Sequence, residues 1–413
     1  MSDGFRRAEL PGGLVVLTEA MPGIRSASLG VWVRAGSVHE ARADMGASHL
    51  LEHMVFKGTQ QRTARDLALV LERLGGSLDA YTTREHTSFQ ARVLDADIDI
   101  ALDVLADLVL NPLLRAEDLE LEREVVLEEI ATVEDTPDDL VFDLHSELLW
   151  GGHPYGYSIL GTPGTVSSLS AADLRRVYDD RYHTSNFVIA AAGNIDHDSF
   201  VERVRSTFDG SRQSGRRQDP PPPLPDAPAP SRSSVQRATA QSHLVWGRPT
   251  FGHGDARRIP MVLLSNAFGG GMSSRLFQRV REELGLAYSV YAYQSFYGDA
   301  GISGVYVGTR PEWAERAEEV VDAELARLAA AGLTAEELDD VKGQVKGQIV
   351  LSLESSSARL HRLAGTELYG EPFRTMDEIT QLVDAVTLDV AAALAAEYFS
   401  PAQQTLLRLG PAT

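Results

Sequence analysis

The chain has 413 residues, enough for two or three domains of roughly 100 to 200 residues, and 43% are hydrophobic, which suits packed cores and excludes a disordered chain. Its 38 Lys and Arg against 59 Asp and Glu leave a formal charge of −21, which works against a nonspecific grip on phosphates and excludes nucleic acid as an expected partner. It has no cysteine, so disulfides, iron–sulfur clusters, thiolate nucleophiles and cysteine-bearing zinc sites are excluded, and any metal must be held by His, Asp or Glu.

The opening MSDGFRRAELPGG carries an arginine pair with no apolar stretch behind it. No later run approaches the roughly 18 apolar residues of a spanning helix, so the chain is expected to be soluble and cytoplasmic, with no membrane partner. Alternating β-branched and aromatic residues at 14–18 and 27–34 predict strands. Gly36 and Gly46 bracket the next loop, and residues 47–56 read as a mostly buried helix.

That helix carries His49-Leu-Leu-Glu52-His53. Four residues apart, the two histidines are rotated by about 40° with one turn of rise, so both imidazoles point the same way and form a bidentate claw for a metal. Glu52 stands about 60° to the other side, where its carboxylate reaches a water at the metal without being a ligand. This H-x-x-E-H order is the inverzincin motif.

Residues 64–74 predict a helix, 87–93 a strand, and 95–110 and 118–134 acidic helices. Zinc wants three protein ligands and an open position, and the last of these helices offers Glu120, Glu122, Glu124, Glu128 and Glu129 as the third. Composition alone does not choose among them. Glu122, Val126, Glu129 and Val133 share one side, so two carboxylates two turns apart can face one cavity.

Residues 211–234, with prolines at 220–223, 225, 228 and 230, predict a semi-rigid spacer that divides the chain into domains 1–210 and 235–413. Beyond it, the glycines 269–271 are followed by no Lys-Ser or Lys-Thr, which rules out a nucleotide cradle. A strand is predicted at 301–307 and a helix at 312–330. The two sides repeat weakly: Leu114-Arg-Ala-Glu-Asp-Leu119 matches Leu333-Thr-Ala-Glu-Glu-Leu338 at an offset of 219 residues, which also pairs Ile130 with Ile349. Strands and helices mix without strict alternation, so the expected fold class is α+β: two homologous domains of mixed or antiparallel sheet with helices, joined by the proline-rich linker.

Taken together, these motifs resemble the pitrilysin, insulysin and mitochondrial processing peptidase family of zinc endopeptidases over nearly the whole chain. In that family the third ligand is a Glu about 76 residues after the second His, within E-R-x-V-I-L-x-E. Glu122-Arg-Glu-Val-Val-Leu-Glu-Glu129 fits, which implies Glu129 as ligand and Glu122 as the second carboxylate at the site. Further matches are Gly75-Gly76-Ser-Leu-Asp79-Ala80-Tyr-Thr-Thr-Arg-Glu85, His153-Pro-Tyr-Gly156 before Gly161-Thr162, Phe268-Gly-Gly-Gly-Met272-Ser-Ser-Arg-Leu-Phe277, and Arg281 to Val290. The resemblance implies that Arg281 and Tyr288 touch the substrate backbone and the developing oxyanion, and that Ala80 pairs with the peptide through its backbone. Relatives usually carry Asn before that Ala; Asp79 here loses the amide donor. Gln348 stands where the repeat would place a second Glu129, and no H-x-x-E-H follows the linker, so the second domain is expected to bind no zinc.

The implied reaction is zinc-dependent endopeptidase cleavage, with Zn2+ on His49, His53 and Glu129 and Glu52 as general base toward the attacking water. Manganese or cobalt would suit the same ligands. Short members of the family pair two such chains into a clamshell, so a homodimer enclosing peptides or unfolded segments is the expected assembly, with a heterodimer with an inactive relative as its alternative. The acidic composition would favour basic peptides. A catalytically silent structural or peptide-binding subunit that partners another protease is the alternative function.

Overall fold

The computed structural model describes residues 4–209, 221–224 and 229–411. Most of the expected 211–234 spacer lies outside the described residues; its last three positions belong to a strand. Eleven strands are described: β1 Phe5–Glu9, β2 Val15–Ala20, β3 Ser26–Val33, β4 Ser77–Thr82, β5 Thr87–Leu94, β6 Phe187–Gly193, β7 Arg232–Gln236, β8 Ser242–Phe251, β9 Ala287–Phe296, β10 Ala300–Thr309 and β11 Thr405–Gly410. The helices are α1 Ala47–Val55, α2 Ala64–Glu72, α3 Ile98–Leu110, α4 Ala116–Glu134, α5 Pro137–Trp150, α6 Pro163–Ser168, α7 Ala171–Arg181 and α8 His197–Phe208, then α9 Arg258–Gly269, α10 Ala314–Ala331, α11 Ala335–Ser352, α12 Ser356–Leu368, α13 Met376–Asp384 and α14 Leu388–Tyr398. No single described helix is long and apolar enough to cross a membrane.

The strands form two sheets that share one five-stranded topology, to which the first adds β1 at its edge. The first runs β1-β2-β6-β3-β5-β4 and the second β7-β11-β8-β10-β9. In each, one parallel pair (β2 with β6, β7 with β11) joins an otherwise antiparallel array. The offset of 219 residues carries the start of α4 at Ala116 onto the start of α11 at Ala335, so the weak sequence repeat marks a duplicated α+β architecture.

The compact units are not the contiguous halves that the linker suggests. One comprises residues 1–131, 157–222 and 352–373; the other comprises 132–156, 223–351 and 374–413. At the same offset α5 and α12 are equivalents, and each lies in the unit built mainly from the other half of the chain. The cause is visible in β3. Leu29, Val31 and Val33 pack on one face with α1 and α3, while Trp32 packs on the opposite face with Leu360, Leu363 and Ala364 of α12. A sheet buried on both faces needs a second cover, and α12 supplies it. In the other unit Leu140 and Val141 of α5 cover Val245, Tyr306 and Leu407.

Candidate active site

The site lies in the first unit, at α1, and the start of that helix is firmly fixed. Gly46, its N-terminal cap, has φ of 90°, the left-handed region that glycine enters without strain. Glu40 is buried and its two carboxylate oxygens accept from Gly46 N (2.9 Å) and Ser48 N (2.6 Å), placing negative charge where the helix dipole favours it. Arg181 closes the arrangement by donating to His39 O and to Ser48 Oγ. Burial pushes the Glu40 carboxyl up, against the pull of these hydrogen bonds and of Arg181.

Leu50, Leu51, Met54 and Val55 are buried in the core, so the remaining face of α1 presents His49 and His53, whose ring centres are 4.7 Å apart. Glu129 of α4 meets both: its Oε2 lies 3.7 Å from His49 Nε2 and 3.7 Å from His53 Nε2. One donor atom from each of the three residues lies within 4.8 Å of the others, and no other such group occurs among the described residues. Two ligands bound about 2 Å from a tetrahedral ion stand about 3.3 Å apart, so the two 3.7 Å separations from Glu129 need only a small contraction to reach bonding range. Burial and the neighbouring His53 push His49 down to about 4, so it stays neutral, the form that ligates. The donor set, two imidazoles and a carboxylate, therefore fits zinc.

Glu122, one face of α4 away from solvent, bonds to the far side of the second histidine: its Oε2 lies 3.2 Å from His53 Nδ1, and its Oε1 takes Lys57 Nζ at 2.5 Å. A carboxylate on the outer nitrogen of a ligating imidazole fixes ring orientation and tautomer. His49 Nδ1 has no such brace among the described residues. Glu52 is buried, and Thr82 Oγ1 donates to its Oε2 at 2.5 Å. Burial pushes the Glu52 carboxyl up, while the Thr82 hydrogen bond and His53 pull it down.

Ala80 and Asp79 lie on β4, the edge strand of the first sheet, which among the described residues pairs only with β5. Arg281 and Tyr288 lie in the second unit. Arg281 donates to Tyr288 O (3.0 Å) and its guanidinium covers the Tyr288 ring at 4.2 Å and the Phe277 ring at 4.8 Å. Tyr288 is 75% exposed, so an aromatic face is held open to solvent beside a cation. Gln348 lies on α11, as the repeat requires.

Sequence reasoning missed Lys57, Thr82 and Glu40. Lys57 follows His53 by four residues, a spacing that signals a shared helix face, but its partner Glu122 is distant in sequence. Thr82 has the same strand parity as Ala80, which is the one signal that could have placed it beside α1.

A family model described as insulinase (peptidase family M16) matches residues 15–163, and one described as the peptidase M16 inactive domain matches residues 168–345. An uncharacterized zinc protease of Streptomyces coelicolor is 42% identical over 397 residues, covering 94% of this chain and 86% of the relative. Another, of Bacillus subtilis, is 39% identical over 396 residues and covers 96% of both. The crystal structure of a peptidase M16 inactive domain from Pseudomonas fluorescens matches with a TM-score of 0.93 at 20% identity, covering 99% of this chain and 98% of the other. That of a protease from Helicobacter pylori matches with a TM-score of 0.92 at 21% identity, covering 98% and 99%. At such identities the two structures speak to the fold alone. The curated relatives, alike over almost their whole length, establish descent: the chain belongs to the insulinase family of peptidases, M16.

Proposed function

We propose that this chain is a zinc-dependent endopeptidase acting on peptides or unfolded segments. The observation that carries the reading is the convergence of His49, His53 and Glu129 beside a buried Glu52. Zinc, when bound there, supplies Lewis acidity, polarising the scissile carbonyl and lowering the pKa of water to about 7. The chain's own residues do the rest. Glu52 accepts the proton of the attacking water and returns it to the leaving amine. Glu122, itself held by Lys57, keeps His53 turned with Nε2 toward Glu129.

The peptide adds as an extended strand to the free edge of β4, with Ala80 pairing through its backbone, so affinity demands little of the sequence. Arg281 and Tyr288 contact the substrate backbone. Asp79 in place of an amide adds a negative charge to that edge and, with the net charge of −21, favours basic peptides. An intact zinc motif and an intact Arg281/Tyr288 pair in one chain support a homodimer in which each copy contributes both, and the absence of cysteine suits a reducing cytoplasm.

Turnover of a quenched peptide by the zinc-loaded protein tests the reading. Wild type should cleave, and Glu52→Gln should keep its zinc and lose activity by about a thousandfold. Zinc binding without Glu52-dependent cleavage would leave a silent structural or peptide-binding subunit.

A further inference from the structure

Glu52 carries its carboxylate on a flexible side chain, and among the described residues Thr82 is the one group that hydrogen-bonds it. The donor is itself constrained. Thr82 is β-branched and therefore stiff at χ1, and it ends β4 directly opposite Thr87 of β5. Thr87 Oγ1 lies 3.4 Å from Thr82 Oγ1 but gives its proton to Ala35 O at 3.0 Å. The Thr82 hydroxyl proton is thus left for Glu52 Oε2, which pins one carboxylate oxygen and leaves Oε1 without a hydrogen bond among the described residues.

The strand that carries Thr82 is anchored on both faces. Leu78 and Ala80, of the same parity as Thr82, pack against the first core, while the Tyr81 ring on the opposite face stacks at 6.1 Å on His361 of α12. Among the described residues, the outer edge of β4 pairs with no other strand. A peptide that adds to this edge therefore bonds to the strand whose last side chain holds the base.

We propose that Thr82 is the positioning residue for Glu52, and that through it β4 joins peptide docking to orientation of the base. The proposal rests on the peptidase reading above. Positioning of this kind is realised in the chemical step and not in ground-state binding, so it shows in kcat and spares KM.

Steady-state cleavage of a quenched peptide by zinc-loaded wild type, Thr82→Val, Thr82→Ser and Glu52→Gln, with zinc content measured on each, tests it. Thr82→Val should lower kcat by about tenfold or more with KM changed less than about twofold and zinc unchanged. Thr82→Ser should restore most of the loss, and adding Thr82→Val to Glu52→Gln should cost nothing further. Wild-type kcat in Thr82→Val, a loss confined to KM or to zinc content, or no rescue by serine would overturn the proposal. Failure of the peptidase reading looks different: wild type itself would show no Glu52-dependent cleavage. In that event thermal midpoints of the metal-free proteins decide whether the contact is made. Thr82→Val should lower the midpoint more beside Glu52 than in a Glu52→Ala background, and equal shifts would overturn it.

Discussion

Lys57 shows how far the candidate site extends beyond His49, His53 and Glu129. Its ammonium takes one oxygen of the buried Glu122, leaving the other for His53 Nδ1. Removing the charge while keeping the stem, as in Lys57→Met, should loosen Glu122 and weaken zinc affinity by about tenfold, the low end of the cost of losing an outer partner of a metal ligand. Competition with a chromophoric chelator measures this directly, and an unchanged affinity would show that Glu122 holds itself. Legibility at this scale follows the physics of contact. His49, Glu52 and His53 could be placed from the helical period alone, because one turn of α1 sets their directions. The helix carrying Glu129 offers several carboxylates, and composition could not choose among them; the family spacing pointed to Glu129, which the structure brings to both imidazoles. Lys57 and Thr82 act through partners far along the chain, so spacing and strand parity hint at a shared face but do not name the partner.

The elements most instructive about the fold are α5 and α12. Strand pattern and the repeat make two α+β units legible, and the proline-rich segment suggests where to divide them. The exchange of equivalent helices is not legible, because either helix would suit either sheet by amphipathicity, and which sheet it covers is a tertiary choice. In the first unit Arg359 of α12 bonds to Glu19 of β2, whose side chain is fully buried. Arg359→Met would remove that bond from a fully buried carboxylate, leaving the Arg362 contact at 3.9 Å, and should cost about 3 kcal/mol, read from urea unfolding. A loss below about 0.5 kcal/mol would contradict the assignment of α12 to this sheet.

The other exchanged helix carries a pH signature. His145 of α5 is buried against Thr405 O of β11 (3.0 Å to Nε2), and burial pushes it down to about 4. Unfolded, it titrates near 6.5. Between those values the unfolded chain binds a proton that the native chain refuses, so this group's contribution to stability is present above about pH 6.5 and is lost as the pH falls toward 4. Glu40 and Glu52, pushed up by burial, act with the opposite sign, which makes the comparison with a variant the informative one. His145→Gln keeps an N–H donor for Thr405 O without titrating. Its thermal midpoint should fall less than that of wild type on acidification across this window, and parallel falls would contradict the account of α5.

At the scale of the whole molecule, one architecture occurs twice and the chemistry once. Both sheets share a five-strand order, and α4 and α11 start at equivalent positions, yet α11 offers Gln348 where α4 offers Glu129. The second unit instead holds the exposed Tyr288 beside Arg281. On the reading proposed above, the duplicated scaffold has one unit that binds metal and one that contacts substrate. The most direct measurement of this division is zinc stoichiometry by elemental analysis of the purified chain and its single variants. One zinc per chain is predicted for wild type and for Glu52→Gln, with loss in His49→Ala, His53→Ala and Glu129→Ala and no change in Gln348→Ala. A wild type that holds no stoichiometric metal, or one whose metal survives removal of His53 or Glu129, would contradict it.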